Sequence, residues 1–187
     1  MKKFELTDEF VTNVFGKKLF RIKALVAFGN VEKGELGGFI EKEDNLSHGG
    51  NAWVFGNAWV FGNALVSGDA RVFDNALVSG DALVFGNAWV FGNARVFGNA
   101  RVSGNARVSG NADYAVVAGF GRYFRTTTFF RCKDKILRIQ CGCFYGDLAQ
   151  FREIVKKTHG DSKYAKEYLA IADLMELHFS DECGGEQ

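Results

Sequence analysis

Between residues 51 and 110, hydrophobic and polar positions repeat every six residues without interruption. Ten hexapeptides run from Asn51-Ala52-Trp53-Val54-Phe55-Gly56 to Asn105-Ala106-Arg107-Val108-Ser109-Gly110. Alanine is always second and valine always fourth. Alternation within each hexad puts Ala and Val on one face and the variable residues on the other. Small, uniform inward residues suit a narrow interior. The Gly-Asn and Gly-Asp pairs tolerate the positive φ that a sharp corner needs. So short a period means one small unit stacked many times, which predicts a mainly β solenoid of short parallel strands.

The flanks lose this period. Strand-like runs at Phe10–Phe15 and Leu19–Phe28 surround a hairpin turn at Gly16-Lys17-Lys18. Leu36-Gly37-Gly38-Phe39-Ile40 reads as an irregular first coil and Asn45-Leu46-Ser47 as a degenerate hexad. Residues 1–50 are therefore expected to form an N-terminal β cap on an array spanning 51–116, because terminal coils expose unpaired strand edges. Beyond it, Thr126–Arg131 and Ile136–Cys143 read as strands joined at Lys133-Asp134. Asp147 with Gln150 three residues on marks a helix start, and Gly160 its end. A second helix is expected from about Ser162 to Phe179, with Tyr164, Tyr168, Ile171 and Met175 on its buried side. Residues 117–187 thus form a β-hairpin plus two-helix module, expected to pack on the last coil.

Composition narrows the function classes. The net charge of +1 excludes both a strongly basic nucleic-acid binder and an acidic mimic of DNA. Residues 51–116 balance Arg71, Arg95, Arg101 and Arg107 against Asp69, Asp74, Asp81 and Asp113. Proline is absent, which leaves every corner to glycine, asparagine and aspartate. No stretch approaches the roughly 18–20 apolar residues of a membrane span. Met1-Lys2-Lys3 leads into no apolar run, so no secretory signal and no membrane partner are expected. The four cysteines then read as reduced thiols in a cytoplasm.

Val-Phe-Gly-Asn-Ala-Arg resembles the hexapeptide family that forms left-handed parallel β-helices, matching at the inward Val and Ala. It departs at the position after Val, where Phe often stands in place of a small residue. The resemblance implies three hexads per coil, so residues 18 apart stack and about four coils rise by about 4.8 Å each. One outer face would then carry Trp53, Arg71, Trp89 and Arg107, with Phe55, Phe73, Phe91 and Ser109 beside them. Alternating Trp and Arg forms a cation–π ladder, each exposed contact contributing about 0.5–1 kcal/mol. Three readings of this face stand together: stacking that only stabilises the coils, self-association into a homo-oligomer, and binding of a protein partner.

Arg131, Lys133 and Lys135 are a second candidate surface. They belong to a basic stretch, residues 117–138, that also holds Arg122, Arg125 and Arg138 with Tyr123, Phe124, Phe129 and Phe130 interleaved. Such a stretch suits phosphate contact plus base stacking, but a two-sided hairpin with one solvated face explains it more simply. Nucleic acid is therefore the less favoured partner. Chemistry has two candidates. Hexapeptide acyltransferases use a histidine and a loop that interrupts the array, whereas this array has no insertion and His48 lies in the cap. Cys141-Gly142-Cys143, with Cys132, Cys183, His159 and His178, lacks the usual paired zinc-knuckle spacing. No cofactor, metal or catalytic residue is assigned, and no enzyme is expected.

Taken with the array, Leu36-Gly37-Gly38-Phe39-Ile40-Glu41, Glu43–Ser47, Gly142–Leu148, Phe151 and His159-Gly160 resemble proteins encoded by phages, prophages and gut bacteria. That resemblance implies a non-enzymatic phage or prophage protein in the cytoplasm of a bacterial host. Its expected role is to bind a host macromolecule, in the manner of an inhibitor of host defence.

Overall fold

A computed structural model describes residues 1–180. The hexads form four coils, each with three short sides. The first coil takes β3 (Leu36–Ile40), a single bridge at Leu46, and β4 (Trp53–Val54). The second holds β5 (Trp59–Val60), β6 (Leu65–Val66) and β7 (Arg71–Val72). The third holds β8 (Leu77–Val78), β9 (Leu83–Val84) and β10 (Trp89–Val90). The fourth holds β11 (Arg95–Val96), β12 (Arg101–Val102) and β13 (Arg107–Val108).

Parallel pairing runs at the expected spacing. Trp53 pairs with Arg71, Arg71 with Trp89, and Trp89 with Arg107. Trp59, Leu77 and Arg95 stack on the second side, and Leu65, Leu83 and Arg101 on the third. Every hexad Ala and Val is buried, which makes the interior a column of two small side chains per side. Each Val removed from water contributes about 1.5–3 kcal/mol, so the column is the main source of stability. Side chains also pair between coils: Asn51 Nδ2 donates to Asp69 Oδ1 at 2.8 Å, and Asn63 Nδ2 to Asp81 Oδ1 at 3.1 Å.

The corners explain the recurring glycines. At Gly80 φ is +70°, and an added Cβ would lie 2.9 Å from the Gly98 nitrogen of the coil above. Asp74 is the exception, a non-glycine corner at φ +59°. Its Oδ2 accepts a hydrogen bond from the N–H of Gly92, which offsets the strained backbone.

The N-terminal cap is a hairpin of β1 (Phe4–Thr12) and β2 (Lys18–Ala24). β2 pairs antiparallel with β3 and so extends one side of the solenoid beyond its first coil. The strands lie earlier than the sequence suggests. Asn13 Oδ1 accepts from the N–H groups of Phe15 and Lys17, so the turn begins at Asn13 and leaves Val14 and Phe15 exposed. Phe28 is not in the strand; it bridges Val31 and packs on the first coil.

The C-terminal module is larger than the expected hairpin. β14 (Tyr114–Phe120), β15 (Arg125–Arg131), β16 (Leu137–Cys141) and β17 (Phe144–Asp147) form an antiparallel sheet in that order. β14 takes residues that the hexad count assigned to the array. Gly142, at φ +59°, turns the chain and splits the expected Ile136–Cys143 strand into β16 and β17. Helices α1 (Leu148–His159) and α2 (Lys163–Phe179) follow, and Asp147 and Gln150 form the expected capping box. β15 joins two cores. Phe130 faces the end of the solenoid, whereas Phe129 faces the helices with Ile139, Phe151 and Tyr168. Among the described residues, no helix is long and apolar enough to cross a membrane.

Candidate functional site

The Trp–Arg face forms, but with one storey covered. Trp53 is 0% exposed, beneath Phe28 at 5.3 Å and Phe4 at 6.2 Å between ring centroids. The N-terminal segment folds over the first coil, so Trp53 belongs to the core and its indole is inaccessible to a partner. Above it, the Arg71 guanidinium lies 5.5 Å from the Trp89 ring and that of Arg107 lies 4.1 Å away. Phe73 stacks on Phe91 at 5.0 Å and meets Trp89 edge-on at 5.8 Å. Arg107 Nη1 also donates to Asn87 O and Ala106 O. These side chains are half-buried, as is Phe55, which packs against the solenoid core.

The second predicted surface disperses. Arg131 Nη2 donates to the Phe179 carbonyl at 3.1 Å, its guanidinium lies over the Phe179 ring, and its Nε is 3.9 Å from Asp113. Arg131 thus ties α2 to the turn before β14. Lys133 and Lys135 are exposed on the β15–β16 turn, where Asp134 between them pairs with Arg138 at 2.8 Å.

A different set of residues converges at the β14–β15 turn. Gly121-Arg122-Tyr123-Phe124 reverses the chain, with Phe124 at φ +51°. Tyr123 is 62% and Phe124 72% exposed. The guanidiniums of Arg122 and Arg125 lie 5.5 and 5.0 Å from the Tyr123 ring. Neither arginine has a carboxylate partner among the described residues. The basic stretch was visible in the sequence. Within that stretch, what singles out these two arginines is that neither pairs with a carboxylate among the described residues, whereas Arg131 and Arg138 do, which the fold decides.

Beside this turn lies a cavity of about 170 Å³ between the sheet and the helices. Phe144, Phe151, Ile154 and Val155 make its apolar side, and Arg122 and Arg125 stand at its border with Tyr123. Thr158, His159, Cys141 and Tyr168 complete the wall. The His159 and Tyr168 rings are 5.8 Å apart. Burial, reinforced by the neighbouring Cys141, pushes the Tyr168 phenol up to about 12, so it stays neutral at physiological pH.

The remaining candidates do not converge on a site among the described residues. His48 Nδ1 accepts from the N–H of Lys3, and its ring stacks on Phe4 at 4.4 Å. Cys132 is buried beneath the last coil, Cys141 is half-buried and Cys143 exposed; Cys183 lies outside the described residues. Among the described residues, no group of three or more His, Cys, Asp or Glu side chains is placed to hold a metal ion.

A family model described as the YdcK β-solenoid repeat matches residues 100–112, which span β12, β13 and the turn before β14. No curated protein matches the chain. The match and the stacked coils agree on a β-solenoid repeat.

Proposed function

We propose that this protein is a non-enzymatic binding scaffold whose solenoid holds the arginine–aromatic turn of the C-terminal module for a protein partner. The observation that carries this reading is the exposure of Arg122, Tyr123, Phe124 and Arg125 on a tight turn, with neither arginine paired to a carboxylate among the described residues. Arg and Tyr are enriched among the residues that dominate binding energy, and a rigid turn loses little entropy on docking. The resemblance of residues 36–47 and 142–160 to phage and prophage proteins makes a bacterial host protein the partner in this reading. Inhibition of a host defence system is the consequence. Lys133 and Lys135 extend the surface.

The test is a tagged pull-down from bacterial lysate, repeated with Arg122→Glu/Arg125→Glu and with Trp89→Ala, then reconstituted with the purified partner. A stoichiometric protein is expected with the wild type and with Trp89→Ala, and not with the arginine variant. Recovery of the bait alone overturns the reading. A homo-oligomer is the competing reading, supported by the half-exposed Phe55, Phe73 and Phe91 beside Trp89. A solution mass above that of one chain, lowered by Trp89→Ala, favours it.

A further inference from the structure

The cavity between α1 and the β14–β15 turn combines two features. One side is apolar, formed by Phe144, Phe151, Ile154 and Val155. At its border stand two guanidiniums, and among the described residues no Asp or Glu lines it. Glu167, which precedes Tyr168, is already engaged: its Oε2 accepts from the N–H of Gly121 at 2.9 Å and its Oε1 lies 3.5 Å from Lys163 Nζ. The Tyr168 phenol adds no negative charge at neutral pH.

From this geometry we infer a binding site for a small amphipathic anion, with a ring-sized apolar body and a single carboxylate or phosphate. The size fits, because an apolar cavity of about 150 Å³ holds one benzene ring. The body would lie against Phe144, Phe151 and Ile154, and the head would meet Arg122 and Arg125. A guanidinium binds either oxyanion through paired N–H donors, and among the described residues no carboxylate pairs with either arginine. A cation of the same size would meet two like charges. The two arginines are shared with the docking surface proposed above, but small-molecule binding is read on the purified chain alone, so failure of one reading is distinguishable from failure of the other.

The experiment is calorimetric titration of the purified full chain with phenyl phosphate and with 3-phenylpropionate. Benzyl alcohol and phenethylamine serve as the uncharged and cationic counterparts. Saturable binding of an anion is expected, weakened by added salt and by about tenfold or more in Arg125→Gln or Arg122→Gln. Tighter binding of phenyl phosphate assigns a phosphate head, and tighter binding of 3-phenylpropionate a carboxylate head. Both arginines are exposed, so neither substitution enters the core. Ile154→Trp, which fills the apolar side from the surface, is expected to abolish binding while leaving the far-ultraviolet dichroism unchanged. The proposal is overturned by no saturation with either anion, by equal binding of benzyl alcohol, or by undiminished binding in all three variants.

Discussion

Thr128 Oγ1 accepts a hydrogen bond from the backbone N–H of Arg101 at 2.9 Å. Elsewhere on this side a carbonyl of the next coil fills that role: Leu65 N–H reaches Ala82 O, and Leu83 N–H reaches Ala100 O. A side chain of the antiparallel sheet therefore stands where a fifth coil would begin. The other two sides end on side chains of the turn before β14 and of its first residue. Asn111 Oδ1 accepts from Arg95 N–H while the Tyr114 hydroxyl donates to Arg95 O, and Asp113 Oδ2 accepts from Ser109 N–H. Unpaired edges invite pairing with another chain, and here they are closed by the module that follows.

Thr128→Val keeps the shape and removes the acceptor, leaving a part-buried N–H unmet. Chemical denaturation should show a loss of about 1–3 kcal/mol. Thr127 faces the other way and donates only to the Cys141 sulfur, so Thr127→Val should cost less. Equal losses would sink the assignment of Thr128 as the plug.

Trp53 and Trp89 occupy equivalent hexad positions but should behave differently. Trp53→Ala empties a fully buried site and should cost about 3–5 kcal/mol. Trp89→Ala removes two cation–π contacts, about 1–2 kcal/mol together. Thermal or denaturant melts of the two single variants decide it, and a Trp89 loss as large as that of Trp53 would falsify the distinction.

Asp74 tests the corner. Asp74→Ala keeps the positive φ but removes the acceptor for the Gly92 N–H, and should cost about 0.5–1.5 kcal/mol. Asp74→Gly loses the hydrogen bond but not the conformational fit, so it should lie closer to wild type. The order of the two midpoints is the readout.

The solenoid, its three sides and the stacking partners were legible because a six-residue period repeated ten times leaves little choice of register. The caps were less so. β14 was hidden because Asn111-Ala112 continues the hexad opening, and only Tyr114 and the lost valine period betray a strand that pairs with β15. The burial of Trp53 could not be read from its hexad, which is identical to the one at Trp59. Phe4 and Phe28, distant in sequence, cover the first indole and leave the second half-buried. The arginines at the β14–β15 turn were seen only as part of a basic run. Their neighbours, not their spacing, separate them from Arg131 and Arg138, which have carboxylates within reach.

Lys3 gives the N-terminal cap a pH signature. Its ammonium donates to Ala52 O at 2.8 Å, and burial pushes it down to about 8 from 10.5. The unfolded chain therefore holds this proton more tightly than the folded one. Stability from this group is lowest below about pH 8 and rises as pH climbs toward 10.5. Buried phenols and the Cys132 thiol shift the opposite way, so the comparison must be with Lys3→Met. The wild type should gain on this variant across that window, and a constant difference in unfolding free energy would refute the assignment.

Each hexad carries the chain from one side of the solenoid to the next, and three return it to the same side one coil higher. The array is therefore both a ruler and a dial. Adding a whole coil would move the C-terminal module along the axis by about 4.8 Å and leave its bearing relative to the β1–β2 hairpin unchanged. Adding or deleting a single hexad would swing the Arg122–Arg125 turn round to the next side. The direction in which that turn points is thus encoded by the hexad count modulo three, in a segment that contributes none of its residues.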